Sequence, residues 1–238
     1  MRKLLRKVYR WIRPAPVPDC DAETIEVLRH VLREDSCTID VGCNRGSILR
    51  EIVRLAPHGR HFAFEPIPSL HRLLQRRFPG VDCRQLAISD TTGTITFHHF
   101  TEMDGFSGFV RRRDVPNNAV TLMEVPTARL DDLFPSDLKV DLIKIDVEGA
   151  ELRVMHGGIE SLRRWRPTIV FECGKGGLDI HGHCPEDVYD LLNECGLRIQ
   201  PLAEWTPAGP PLSREAFCEH FWSGRSYMFV ATPPQGTA

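Results

Sequence analysis

The chain turns sharply at Gly42-Cys43-Asn44-Arg45-Gly46, and what flanks this turn constrains the fold more than any other feature. Thr38-Ile39-Asp40-Val41 before it has the β-branched, apolar character of a short strand. Behind it Ile48, Leu49, Ile52 and Val53 recur at helical spacing. About twenty residues on, a second short apolar run, His61–Phe64, ends in Glu65. Strand, glycine turn, helix, strand and terminal carboxylate make a nucleoside-binding α/β unit: glycines admit close backbone approach, and the acid accepts from a ribose hydroxyl pair. The spacing G-x-x-x-G differs from the G-x-G-x-x-G of dinucleotide sites, and no Lys follows Gly46 as a phosphate loop requires. The pattern suits a nucleoside without phosphates, of which S-adenosylmethionine is the common example.

Elements continue to alternate beyond Glu65. Asp21 is placed to cap a helix running to Arg33 with Ile25, Leu28, Val31 and Leu32 as its buried stripe; a second helix follows Gly46 and stops at Pro57. Helix 69–78, strand 81–88 and an additional strand at 93–100 come next, then an aperiodic stretch over 101–124, long enough to be functional or mobile. Strand 140–146, a helix over 148–156 broken by Gly157-Gly158, strand 168–172, helix 185–195 with Gly196 at its end, and strands 197–202 and 227–232 complete the pattern. About seven strands alternating with helices predict an α/β fold, a doubly wound, Rossmann-like sheet with helices on both faces. Residues 19–232 are read as this domain and 233–238 as a disordered tail.

The formal charge of −2 conceals an asymmetry. Residues 1–18 carry six cations and no acid, so the remaining 220 residues sum to −8, a balance unsuited to gripping nucleic acid. Within 1–13, Leu4, Leu5, Val8, Trp11 and Ile12 share one helical face, and Pro14, Pro16 and Pro18 then form a stiff linker. Three readings stay open for this basic helix: a peripheral anchor on the inner membrane surface, a helix that packs on its own domain or frays, and a mitochondrial presequence. Eight scattered cysteines without a C-x-x-C pair read as reduced thiols of a cytoplasmic protein.

Ile39–Gly46, Phe64-Glu65-Pro66, Ala87–Asp90 with Gly93, and above all Leu142-Ile143-Lys144-Ile145-Asp146-Val147-Glu148-Gly149-Ala150-Glu151 resemble the FkbM family of S-adenosylmethionine-dependent methyltransferases, over roughly residues 36–175. The resemblance implies a class I methyltransferase sheet of seven strands, mostly parallel with an antiparallel last strand. It also implies O-methylation of hydroxyls on sugars, glycans or small natural products.

Each candidate residue has its reason. Asp40 supports the turn that holds the methionine end of the cofactor; Gly42 and Gly46 admit the ligand, Asn44 offers its backbone, and Glu65 takes the ribose. Ala87, Ile88 and Asp90 either line the adenine pocket or simply end a strand. Asp146 ends a strand beside the topological switch point, where ligands of such sheets sit, and is the first candidate for general base. Glu148 and Glu172 follow as further catalytic candidates. Mg2+ held by Asp146, Glu148 and Glu172 and metal-free general-base chemistry are both open. His181, His183 and Cys184 have no complementary ligand pair nearby, so no dedicated metal site is assigned. The segments 101–124 and 174–184 are expected to shape the pocket for a small-molecule or glycan acceptor. A non-catalytic S-adenosylmethionine-binding scaffold is the alternative, and a nicotinamide-dependent oxidoreductase a more distant one.

Overall fold

The computed structural model describes residues 20–111 and 120–234. The expected basic helix and linker, residues 112–119 and the last four residues lie outside the described residues. In chain order the elements are α1 (Cys20–Val31), β1 (Thr38–Val41), α2 (Ser47–Leu55), β2 (His61–Phe64), α3 (Pro68–Arg77), β3 (Asp82–Arg84), β4 (Ala87–Ile88), β5 (Gly93–Phe100) and β6 (Val120–Ala128). There follow β7 (Leu142–Ile145), α4 (Glu151–Gly157), α5 (Ile159–Trp165), β8 (Thr168–Glu172), α6 (Pro185–Glu194), β9 (Arg198–Pro201), α7 (Arg214–Ser223) and β10 (Met228–Thr232).

Seven strands form the main sheet in the order β3-β2-β1-β7-β8-β10-β9. All pairs are parallel except those of β10, which runs against both β8 and β9. The chain winds outward from β1 in one direction and returns through β7 in the other. A crevice therefore opens beyond the carboxyl ends of β1 and β7, the switch point at which such sheets bind ligands. Every residue of β1, β2 and β7 is buried, as expected of central strands covered on both faces. One face packs Ile39, Ile143, Ile145, Ile169 and Phe171 against Leu152, Met155, Val188 and Leu192 from α4 and α6. On the opposite side Leu142 packs with Leu28, Ile48 and Ile52 from α1 and α2. Apolar burial on both sides makes the crevice floor rigid.

Several expectations are corrected. The strand expected at 81–88 is two: β3 pairs with β2 at the edge of the main sheet, whereas β4 leaves it and pairs with β6. The stretch 101–124 is not structureless. A 3-10 turn occupies Asp104–Phe106, and β6 pairs with β5 along its length, from Gly93 opposite Thr127 to Phe100 opposite Val120. Most of β6 is buried on neither face, so it lacks the alternation that marks a strand. The helix expected from Glu148 begins at Glu151, because Glu148 (φ 56°) and Gly149 (φ 103°) are left-handed. Gly157-Gly158 interrupts only briefly, and α5 starts at once. Helix α7 carries its own signal in Ser213, whose hydroxyl accepts from the Ala216 N–H at 3.2 Å. Asp21 lies inside the first turn of α1 and not at its cap, and Thr24, Val27 and Leu28 are the residues buried there.

Candidate functional site

The glycine turn is set by its neighbours before any ligand is considered. Gly42, Asn44 and Gly46 all have positive φ (78°, 49° and 74°). A Cβ on Gly42 would overlap the Asp146 carbonyl oxygen, and one on Gly46 would sit 2.6 Å from Phe78 Cε2 and 2.8 Å from Leu74 Cδ2. Both glycines are thus demanded by protein atoms, which adds a structural reason to the expected one. Gly42 N–H donates to the Phe64 carbonyl at 3.0 Å, stitching the turn to the end of β2.

Glu65 completes that stitch. It is 4% exposed, its Oε2 accepts from Asn44 N–H at 2.8 Å and its Oε1 from Ile67 N–H at 3.0 Å. Burial pushes its carboxyl up to about 7, against the opposing pull of those two N–H groups. Each oxygen has a second lone pair with which to accept from a ribose hydroxyl. Cys43 is buried, donates to the Asp40 and Phe64 carbonyls, and burial pushes its thiol up, so it fills space and is not poised as a nucleophile.

The acids converge at the crevice. Asp146 N–H donates to the Val41 carbonyl at 3.1 Å, so the end of β7 lies directly beside the glycine turn. Asp146, Glu148 and Glu172 each offer a carboxylate oxygen within 4.8 Å of the others. All three are half-buried. Glu148 gets there from a loop and not from a helix, and Glu151 holds that loop: its Oε1 accepts from Val147 N–H at 3.0 Å and Gly149 N–H at 3.1 Å. Glu151 is 1% exposed, and burial pushes it up to about 7 despite those bonds.

Lys144 is a residue of this crevice to which sequence reasoning assigned no role of its own. Its side chain is 8% exposed, with Nζ 3.2 Å from Asp146 Oδ2 and 3.6 Å from Asp40 Oδ1, and it donates to the Gly42 carbonyl at 3.2 Å. Asp40 is buried, and both its oxygens lack a hydrogen-bond partner. Burial pushes its carboxyl up while the Lys144 charge opposes the shift. The signal was a lysine in the middle of the apolar run Leu142–Ile145, where a cation needs a partner.

Residues 101–111 pack against this floor. Asp104 pairs with Arg45 of the glycine turn at 2.5 Å and with His99 at 3.1 Å, and Gly108 lies against Glu148. From the other side Gly177 packs on Gly149. His181 is neutral, pushed down to about 4 by burial and then by His183 and Arg153, and its Nε2 has no partner. Among the described residues, His181, His183 and Cys184 join no metal-type cluster. The adenine-pocket candidates are differently placed. The Ala87 side chain packs with Ile67, Leu70, Phe97 and Val125, and Ile88 belongs to the main core. Asp90 is tied to Arg153 at 2.8 Å; burial pushes it up, but the guanidinium outweighs this and holds it below the usual range.

Buried carboxyls that keep their protons have a measurable consequence. Glu65 and Glu151 sit near 7 in the folded chain against 4.5 when exposed. Their stabilising contribution is full below about pH 4.5 and is lost as pH rises through 7. Thermal midpoints of the ligand-free protein should fall across that window. Glu151→Gln keeps an oxygen for both N–H groups and should flatten the fall; an undiminished slope would assign the protons elsewhere.

A doubly wound sheet ending in this glycine turn, ribose-type acid and acidic crevice defines the class I methyltransferases. Residues 40–199 match the Methyltransferase FkbM domain, and the chain belongs to this family of S-adenosylmethionine-dependent methyltransferases. It is 34% identical over 154 residues to the 2-O-methyltransferase NoeI of Sinorhizobium fredii, covering 56% of this chain and 62% of that protein, less than two thirds of its length. It is 29% identical over 187 residues to the hexuronic acid methyltransferase AglP of Haloferax volcanii, covering 76% of this chain and 71% of the other. The crystal structure of methyltransferase FkbM from Methylobacillus flagellatus superposes with a TM-score of 0.51 at 15% identity, over 84% of this chain and 44% of that one, a likeness of fold. A nicotinamide-dependent oxidoreductase is thereby set aside. No helix among the described residues is long and apolar enough to cross a membrane.

Proposed function

We propose that the chain transfers a methyl group from S-adenosylmethionine to a hydroxyl of a sugar, glycan or similar small acceptor, with Asp146 as proton acceptor. The observation that carries this reading is the meeting of Asp146, Glu148 and Glu172 beside the glycine turn. Bound S-adenosylmethionine supplies an electrophilic methyl on a sulfonium. Glu65 accepts from the ribose hydroxyls, and the turn 42–46 offers its backbone. An alcohol is a poor nucleophile at neutral pH, so Asp146 takes its proton while the walls at 101–111 and 174–184 hold the oxygen in line. The names of NoeI and AglP, a 2-O-methyltransferase and a hexuronic acid methyltransferase, support a sugar hydroxyl. The net −8 of the chain beyond residue 18 disfavours nucleic acid, and eight free cysteines suit the cytoplasm.

One observation favours a second reading, in which Mg2+ assists. Three carboxylate oxygens within 4.8 Å are the hard donors such a cation prefers, and it would acidify the acceptor hydroxyl. Chelator would then abolish turnover and Mg2+ restore it.

Calorimetry should show S-adenosylmethionine binding, with Glu65→Ala costing on the order of 1–3 kcal/mol of it. Radiolabelled methyl should pass to at least one member of a panel of neutral glycosides, hexuronic acid glycosides and hydroxylated macrolides. Binding without any transfer would favour the scaffold, and absence of binding would sink both.

A further inference from the structure

We propose that Lys144 is a positioning residue that ties the proton-accepting carboxylate of Asp146 to the glycine turn, so that one buried cation sets both halves of the site. The inference rests on the methyltransferase reading above and extends it to a residue whose ammonium is held by protein oxygens.

The geometry is specific. Lys144 sits opposite Asp40 in the β1–β7 register, and along β7 the side chains of Leu142, Lys144 and Asp146 share one face. The Lys144 ammonium has three protons and reaches three oxygens on three segments: Gly42 O at 3.2 Å, Asp146 Oδ2 at 3.2 Å and Asp40 Oδ1 at 3.6 Å. A surface pair of this kind would contribute little, but this ammonium is 8% exposed and Asp40 is 1% exposed. Asp40 balances the cation from below. Lys144 grips Oδ2 of Asp146 and leaves Oδ1 outside that pair. Its bond to the Gly42 carbonyl holds the turn in the left-handed conformation that the Asp146 backbone also demands. Asp146 and the cofactor turn therefore move as one body, which in-line transfer requires because small misplacements of the reacting atoms are costly.

The test replaces the buried pair together. Lys144→Met alone would strand Asp40, whereas Lys144→Met with Asp40→Asn removes both charges and keeps their approximate volume, so the fold survives. Wild type, the double variant and Lys144→Arg are compared by thermal unfolding, by calorimetry with S-adenosylmethionine, and by kcat and KM with an acceptor that turns over. The double variant should melt near wild type, bind S-adenosylmethionine about tenfold more weakly, and lose about 100-fold in kcat with little change in acceptor KM. Lys144→Arg, which keeps the charge and the donors, should recover part of the binding. A double variant that binds S-adenosylmethionine as wild type does would overturn the proposal, and so would kcat and KM falling in proportion to a lost melting temperature. Wild-type protein that fails to bind S-adenosylmethionine would instead overturn the methyltransferase reading, a separate outcome read in the same calorimeter.

Discussion

Asp146→Asn is expected to bind S-adenosylmethionine within a few-fold of wild type and to transfer methyl roughly 10²–10⁴ times more slowly. The substitution is nearly isosteric, and its backbone N–H still bonds the Val41 carbonyl, so the crevice floor survives. The amide retains an oxygen for Lys144 but cannot take the acceptor proton. Glu148 and Glu172 lie within 4.8 Å and limit the loss if either substitutes. Their variants rank the three carboxylates: a larger loss in Glu172→Gln than in Asp146→Asn would move the base to β8. Full turnover in Asp146→Asn would make that carboxylate structural.

Gly42→Val is expected to damage both fold and site. Its Cβ overlaps the Asp146 carbonyl oxygen, lies 3.0 Å from the carbonyl carbon and 3.2 Å from Val147 Cγ1, and must adopt φ near 78°. A β-branched residue in that conformation costs about 1–2 kcal/mol, and overpacking against backbone about 1–3 kcal/mol more. Relief comes only by pushing β1 and β7 apart at the point where the cofactor turn meets Asp146. Denaturant unfolding should show a loss on the order of 3 kcal/mol. Calorimetry should show S-adenosylmethionine affinity reduced at least tenfold, on the order of 1.4 kcal/mol. Gly80→Ala, at a glycine with nothing within 4 Å, is the matched control and should change neither. Wild-type stability in Gly42→Val would mean that the close approach of the two strands is not obligatory.

What was legible in the sequence was local. β1, β5 and β8 have the bounds that side-chain pattern and flanking turns suggest: β1 and β8 are short buried runs beside a glycine turn and a proline, and β5, largely unburied, opens at the turn glycine Gly93. The convergence of Asp146, Glu148 and Glu172 was legible too, since strand ends at a switch point share one crevice. Features that depend on a distant partner were not. β6 is a strand because β5 lies beside it, and its own residues carry little alternation. Glu148 lies outside α4 because Gly149 packs on the Gly177 backbone and Glu151 draws in the loop, contacts invisible in the run Asp146–Glu151. Ala87 and Ile88 have the residue types of a pocket wall, yet their side chains pack in apolar clusters. Lys144 escaped notice for the same reason: its three oxygens come from Gly42, Asp40 and Asp146, and the first two are about a hundred positions away in the chain.

The pairing of Asp40 with Lys144 also bears on how the chain assembles. β1 and β7 are short, mostly apolar, and separated by about a hundred intervening residues, so hydrophobic burial alone distinguishes poorly between neighbouring alignments. Shifted by one residue, Lys144 would turn to the opposite face and meet Ile39 or Val41, leaving an ammonium and a carboxylate each stranded in the interior. A stranded internal charge costs several kcal/mol, comparable to a large share of a domain's net stability. The two charges thus act as a proofreading mark on strand alignment, rejecting compact but misthreaded chains that Val or Leu at these positions would tolerate.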